Sequence, residues 1–345
     1  MELLGHLREG LPRGQHIIEV IQCFQHLDAS NPRDKINGFR GLHTGRTKLP
    51  HPTYDVGSTG PFFEEMAVWL LVDIERLMTL ALDLDNSSMK LPSWVPDFSS
   101  KSHPFEQNYW RSRLELYMAY GCHPSLQQEL DPGKGFSYQR PGQLSVEGVQ
   151  VDEIEFVASD KLTFLNPVNH IRLMKDWFVF ATGREPSVKE DAPFNDFAFC
   201  DTVLGGRVQD PTQSSRWRKA TMTDHHHWQR AVLESEKGRL RNSAQESLIR
   251  SHVVAAVERR LFKTKKRSLA IGPGTVQPGD LVWVFTSGNA AFVTRKVDSE
   301  GPMQHSNMPE RRYALQGPCY HHELMQDGFD IAAEAMDEQR ECVLV

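Results

Sequence analysis

Cysteine pairs are missing from this sequence. Cys23, Cys122, Cys200, Cys319 and Cys342 lie scattered with no C-x-x-C spacing, and an odd, widely spread set is a poor disulfide framework. Reduced thiols inside a cell are the expectation. An excess of positive charge is missing too: 39 Lys and Arg stand against 45 Asp and Glu, a formal net charge of -6. General nucleic-acid binding demands a strongly basic surface, so no nucleic-acid partner is expected. No long uncharged apolar run occurs either. The most apolar stretch, residues 66–84, is interrupted by Asp73, Glu75, Arg76 and Asp83, each costly in a bilayer, so a core helix and no membrane span is expected there. The opening MELLGHLREGLPRG carries charges and glycines where a secretory signal needs an apolar core.

The motifs that carry chemistry are absent in the same way. There is no G-x-S-x-G elbow, no phosphate-binding P-loop, no G-x-G-x-x-G fingerprint and no H-E-x-x-H zinc helix. His225-His226-His227 cannot all face one ion, nor can His321-His322-Glu323, and no further Cys, Asp or Glu spacing completes a tetrahedral set. A solvated loop is the expectation for the first run. No catalytic residue, metal, cofactor or small-molecule substrate is identified, and the chain is read as a non-enzyme.

What is present is the balance of an ordinary folded protein, 39% apolar and 24% charged. With roughly 150 residues per domain as a guide, 345 residues imply two units. The boundaries drawn are a helical unit at 1–130 and a mixed unit at 131–345, with a polar loop or linker at 207–229. The fold class expected is α+β. Ile17, Ile18, Ile21 and Phe24 give a helix over 15–28; Asn31 as N-cap and Pro32 start a short one running toward Gly41. Phe63, Ala67, Leu70, Ile74, Leu77, Ala81 and Leu84 mark one face of a longer helix. LSVEGVQVDEIEFVA reads as two strands or one bulged strand around Gly148. Helices follow at about 167–181, 194–204 and 240–260. SLAIGP, DLVWVF, AAFVTRKV and RRYALQGPCY then give short strands closing a small antiparallel sheet or barrel near 265–322. In DLVWVF both alternating sets, Leu281, Trp283, Phe285 and Val282, Val284, are apolar, so this strand should be central and covered twice. The last fifteen residues read as a loosely held tail.

Three segments share a pattern. NPRDKINGFRGL at 31–42, LPSWVPDFS at 91–99, and the run from RRLFKT at 259 through PGDLVWVF to YALQGPCYHHELMQDG resemble, in order and spacing, the region that follows the defining core of fungal heterokaryon-incompatibility (HET) domain proteins. Asn37-Gly38 stands where that family has an aromatic and a small residue, and Glu323 where it has Gly. The family's Ser-Tyr-x-Trp-Gly and Trp-Thr-x-Gln-Glu segments have no counterpart upstream of Arg33, so the chain is expected to lack the N-terminal core. The resemblance implies a role in nonself recognition and programmed cell death, with protein partners, as a regulatory or interaction region or remnant. The death effector would be the missing Toll/interleukin-receptor-like core. It marks Arg33, Asp34, Lys35, Gly41, Leu42, Trp94, Pro96, Asp97, Gly279, Asp280, Gly317 and Tyr320 as structural or interaction positions.

The residues themselves qualify that list. Arg33 and Lys35, in a first helical turn where the dipole disfavours cations and on opposite sides of it, should pair separately with carboxylates or carbonyls, while Asp34 complements the dipole. Two prolines hold Trp94 on an extended segment that should cross a surface and plug the neighbouring core. An alternative is Trp94 as an anchor for another chain. The basic run at 259–267 reads as the complement of a helix C-terminus or as a nuclear address, in an otherwise cytoplasmic protein. A hydrolase or nucleotide-processing enzyme is the rival reading. A nucleophile beside a base in a pocket would favour it.

Overall fold

The computed structural model describes residues 21, 27–42, 49–52, 54, 59–73, 79–80, 89–100, 113, 116–117, 135–163, 167–187, 193–210, 213–236, 243–286, 290–297, 311–326 and 340–345. The helix expected at 15–28, the later half of the 63–84 face and the turn at 287–289 fall largely or wholly outside them.

Chain order begins with the single turn α1 (Asp34–Asn37) and α2 (Thr59–Asp73), then the hairpin β1 (Phe136–Arg140) and β2 (Gln143–Val157). Helices α3 (Pro167–Thr182) and α4 (Phe197–Leu204), the hairpin β3 (Arg207–Asp210) and β4 (Gln213–Lys219), and helices α5 (Met222–Glu236) and α6 (Ser243–Ala256) come next. Six strands follow: β5 (Arg259–Thr264), β6 (Leu269–Pro273), β7 (Leu281–Phe285), β8 (Ala291–Val297), β9 (Arg312–His321) and β10 (Arg340–Leu344). The protein is α+β.

The sheet closes on itself. Antiparallel pairs run β2–β5–β6–β9–β8–β7 and return to β2, a ring of six strands with no free edge inside it. β10 bridges β2 and β9 at the other end of the gap that β5 and β6 fill, antiparallel to the first and parallel to the second. β2 can serve so many neighbours because it is long and bulged, with register breaks between Gln150 and Asp152 and between Ile154 and Phe156. Gly148 lets β7 approach: a Cβ there would lie 2.7 Å from the Val284 carbonyl.

Side-chain alternation sorts the core into three. Ile154, Phe262, Ala270, Val282, Val284, Ala291, Val293 and Cys319, drawn from all six ring strands, pack together as the lumen. Apart from Ile154 and Phe262 they are Ala, Val and Cys, small enough for a narrow barrel. On the outer side of β7 and β8, Leu281, Trp283, Phe285 and Phe292 pack with Phe63, Met66, Ala67 and Leu70 of α2 and with Trp94. On the outer side of β5, β6 and β9, Leu261, Ile271 and Tyr320 pack with α3–α6. The β7–β8 pairing, Leu281 opposite Thr294 and Val284 opposite Ala291, is the hairpin read from the sequence, and β7 is central and buried on both faces.

Three expectations are overturned. Residues 207–229 are no linker. They form β3, β4 and the first half of α5, and His225 faces inward while His226 and His227 are exposed. The basic run is not a helix end: α6 stops at Ala256, and Arg259–Thr264 is a barrel strand whose Leu261 and Phe262 are buried. Lys265, Lys266 and Arg267 then make the tight turn into β6, with Arg267 in the left-handed region at φ 67. The sheet also exceeds 265–322, since β2 and β10 belong to it. Arg340–Leu344 is a barrel strand with Cys342 and Leu344 in the core, so this part of the expected loose tail is held.

Candidate functional site

The chemistry-bearing side chains gather where β9 ends. His321 and His322 are neighbours in sequence, yet each reaches a different buried aspartate. His322 turns toward Asp201 of α4. That helix is fixed by Asp196, whose side chain accepts from the Phe199 amide at 3.0 Å, and by Gly205 at φ 65, and every residue from Phe199 to Leu204 is buried. A carboxylate inside such a helix must find donors. Asp201 accepts from the Tyr320 hydroxyl at 2.7 Å and from Gln326 Nε2 at 3.1 Å, with His322 Nδ1 at 3.3 Å and His225 Nε2 at 3.6 Å. Burial pushes its pKa up, but His225, His322 and Tyr320 outweigh that and hold it well below the usual carboxylate range. Burial, reinforced by the Asp201 charge, keeps Tyr320 a protonated donor, its pKa raised well above the ordinary phenol value. Gly206 makes the room: a Cβ there would lie 2.7 Å from the Tyr320 oxygen. Phe197, 41% exposed, lies over His225 and His322 with ring centroids 5.1 and 5.9 Å away.

His321 turns the other way, to the β5–β6 turn. Its Nδ1 faces the Leu324 amide at 3.4 Å and the Ser268 hydroxyl at 3.3 Å, so Nδ1 is the acceptor and Nε2 carries the hydrogen toward Asp152 Oδ2, 3.7 Å away. Burial raises the Asp152 pKa, yet His321, Thr264 and the amides of Glu153 and Lys266 together bring it below its ordinary value. Hydroxyl, imidazole and carboxylate thus stand in the order of a nucleophile, base and orienting acid. Their exposures are 2% for Ser268, 3% for His321 and 7% for Asp152, and Ser268 Oγ is also faced by the Glu323 amide at 3.4 Å. The arrangement ties the β5–β6 turn to the end of β9 and presents no reacting oxygen to solvent.

A third pair lies among the helices. His252 Nδ1 sits 2.9 Å from the Val203 carbonyl, which accepts only, so Nδ1 carries the hydrogen and Nε2 is free to accept from His170 Nε2 at 2.8 Å. The rings are nearly coplanar, 4° apart. Burial lowers both pKa values, to about 4 for His170 and, with the neighbouring imidazole adding to it, to about 3 for His252. Among the described residues no group of three or more His, Cys, Asp or Glu could hold a metal ion.

The positions marked by the resemblance are spread over the first turn, the Trp94 segment and the barrel. Lys35 donates to the Leu27 carbonyl, and the Arg33 guanidinium lies 6.0 Å from the Phe62 ring centre. Asp34 accepts from Tyr54 at 2.6 Å. Asn31 accepts from the Arg33 amide at 3.0 Å, ahead of a helix of one turn. Gly41 and Leu42 lie in a 3-10 turn, and a Cβ on Gly41 would touch nothing. Trp94 is 0% exposed and donates to the Gly142 carbonyl at 3.3 Å, which makes it a core plug, closed to another chain in this state. Pro96 is buried, and Asp97 accepts from the Ser99 amide at 2.9 Å. Gly279 takes φ 90 in the turn before β7, where Asp280 accepts from the Gln277 amide and from two nitrogens of Arg295 at 2.8 and 2.9 Å. Gly317, at φ 128, sits where the β8–β9 register shifts. Tyr320 enters the Asp201 cluster. The sequence reading missed Asp201, Asp152 and Ser268; it named His225, His321 and His322 only within His runs that could not hold a metal, and expected His225 in a solvated loop. No family model, no curated protein and no solved structure matches this chain.

Proposed function

We propose that this chain is a non-catalytic, protein-binding or regulatory region of the fungal HET family, acting inside the cell in nonself recognition. One observation supports the reading above the rest. The three family-like segments, far apart in sequence, meet in a single core: Ile36 from the first, Trp94, Val95 and Phe98 from the second, and Leu281, Trp283, Phe285, Tyr313 and Leu315 from the third. Residues that co-occur as a pattern because they build one structural unit are expected to pack together, and these do. The test is expression in a fungal host, alone and beside a full-length family protein. The reading expects no death from the chain alone and an altered death frequency in the paired strain. Death on induction of the chain alone, abolished by a frameshift, contradicts it.

The second reading, a hydrolase, draws on the Ser268–His321–Asp152 series. Burial of all three groups weighs against it, since a serine needs its oxygen within reach of a substrate.

A further inference from the structure

Unpaired polar atoms gather beside Tyr54. Asn37 closes α1 and Arg40 opens the 3-10 turn three residues on, so the two side chains leave neighbouring turns on one side. Arg40 Nη2 donates to the Leu49 carbonyl at 3.0 Å, but its Nη1 has no hydrogen-bond partner among the described residues. The Asn37 side chain has none there for Nδ2 or for Oδ1, and all three atoms are closed to solvent. A buried donor or acceptor left unpaired is costly, and three of them within a few residues call for a partner from outside the fold. Tyr54 is 55% exposed, and its hydroxyl donates to Asp34 Oδ1 at 2.6 Å. That bond raises its pKa, and Asn37 and Arg40 act on the same hydroxyl in the opposite sense, the Asn37 amide without closing a hydrogen bond to it. An exposed ring held by one such bond is free to turn aside.

We propose that Asn37 and Arg40 form a peptide-group site, opened when Tyr54 turns aside, that holds the main chain of an extended segment of a partner protein. The inference rests on the protein-binding reading above. The unpaired atoms select the chemistry. Asn37 offers an acceptor and a donor side by side, the complement of the N–H and C=O along an extended chain, and Arg40 Nη1 offers a donor for a further carbonyl. A phosphate or carboxylate would leave Asn37 Oδ1 unpaired and would meet the Asp34 carboxylate close by, so an anion is disfavoured. A neutral chain in extended form presents its peptide groups unpaired, and main-chain hydrogen bonds of this kind supply affinity in peptide recognition.

The probe is a displayed library of random peptides selected on the full chain, each enriched peptide then being synthesised and titrated against the chain and its variants. Asn37→Ala and Arg40→Lys should each weaken binding by about tenfold, and methylation of one main-chain nitrogen of the peptide should do the same. Tyr54→Phe, which frees the ring from Asp34, should tighten binding. Equal affinity for the chain, Asn37→Ala and Arg40→Lys overturns the site while leaving protein binding elsewhere on the chain standing. Enrichment of no peptide, or of peptides whose binding follows an acidic side chain, overturns it as well. Melting midpoints guard against a misfolded variant: Asn37→Ala removes no side-chain hydrogen bond of the free chain, so its midpoint should not fall. A lower midpoint would show that the amide serves the fold, and would overturn the proposal.

Discussion

Acid should loosen the helical core through His170 and His252. Each has an ordinary pKa of about 6.5 once the chain unfolds. In the fold they stand near 4 and 3, because burial disfavours the charged form of both and, for His252, the neighbouring His170 adds to it. A group whose folded pKa is depressed contributes fully above its unfolded pKa and loses that contribution as pH falls toward the folded value. The window therefore opens at about pH 6.5 and runs down to about pH 4 for His170 and pH 3 for His252. At pH 5 each histidine costs roughly 1.5 × 1.36, or about 2 kcal/mol, and the pair about 4 kcal/mol. That is a large share of a net stability of about 5–15 kcal/mol. Urea titrations of the chain and of His170→Phe/His252→Phe at pH 7.5, 6 and 5 isolate the pair. Trp fluorescence is a suitable signal, because the Trp228 ring centre is 5.3 Å from that of His252. At pH 7.5 the double variant should lose about 1–3 kcal/mol, since the Val203 carbonyl loses its donor. Between pH 6.5 and 5 its pH slope should be shallower by about two protons. Equal slopes would refute the reasoning.

Other outcomes follow from the packing. Trp94→Ala should destabilise the chain by about 3–5 kcal/mol, the cost of a core aromatic, and an unchanged melting midpoint would count against its role as a plug. Arg267→Gly should raise stability by about 1 kcal/mol, because the left-handed backbone at φ 67 strains any side chain; a lower urea midpoint would contradict this. Tyr320→Phe should cost about 1–3 kcal/mol at pH 7 by removing the shortest hydrogen bond of Asp201, and equal stability would show that the carboxylate does not depend on it.

Elements whose burial follows an apolar period were legible. β7 and β8 read correctly because both alternating sets of β7 are hydrophobic; β2 reads as two strands or one bulged strand around Gly148, and it is one strand whose register breaks fall further on, between Gln150 and Asp152 and between Ile154 and Phe156. The segment 207–229 was not legible, and α5 shows why. Its buried face is Asp224, His225, Trp228, Gln229, Ala231 and Val232, a helical stripe half made of polar residues, so the apolar period vanishes while the structural one persists. β5 hid in the same way, with Leu261 and Phe262 set among Arg and Lys. β10 is five residues long and has no partner nearby in sequence, so only the distant β2 and β9 could reveal it. The candidate site was the least legible part. Asp201 and His322, or Asp152 and His321, meet across more than a hundred residues, and no spacing rule reaches that far.

The central claim is that the family-like segments hold a barrel together and that the nearby serine, histidine and aspartate brace it without chemistry. A fluorophosphonate probe applied to the native chain, with modified peptides read by mass spectrometry, tests this most directly. The account predicts no modification of Ser268 while the chain is folded. Stoichiometric modification of Ser268 in the native state, lost on His321→Gln, would contradict it and restore the hydrolase reading.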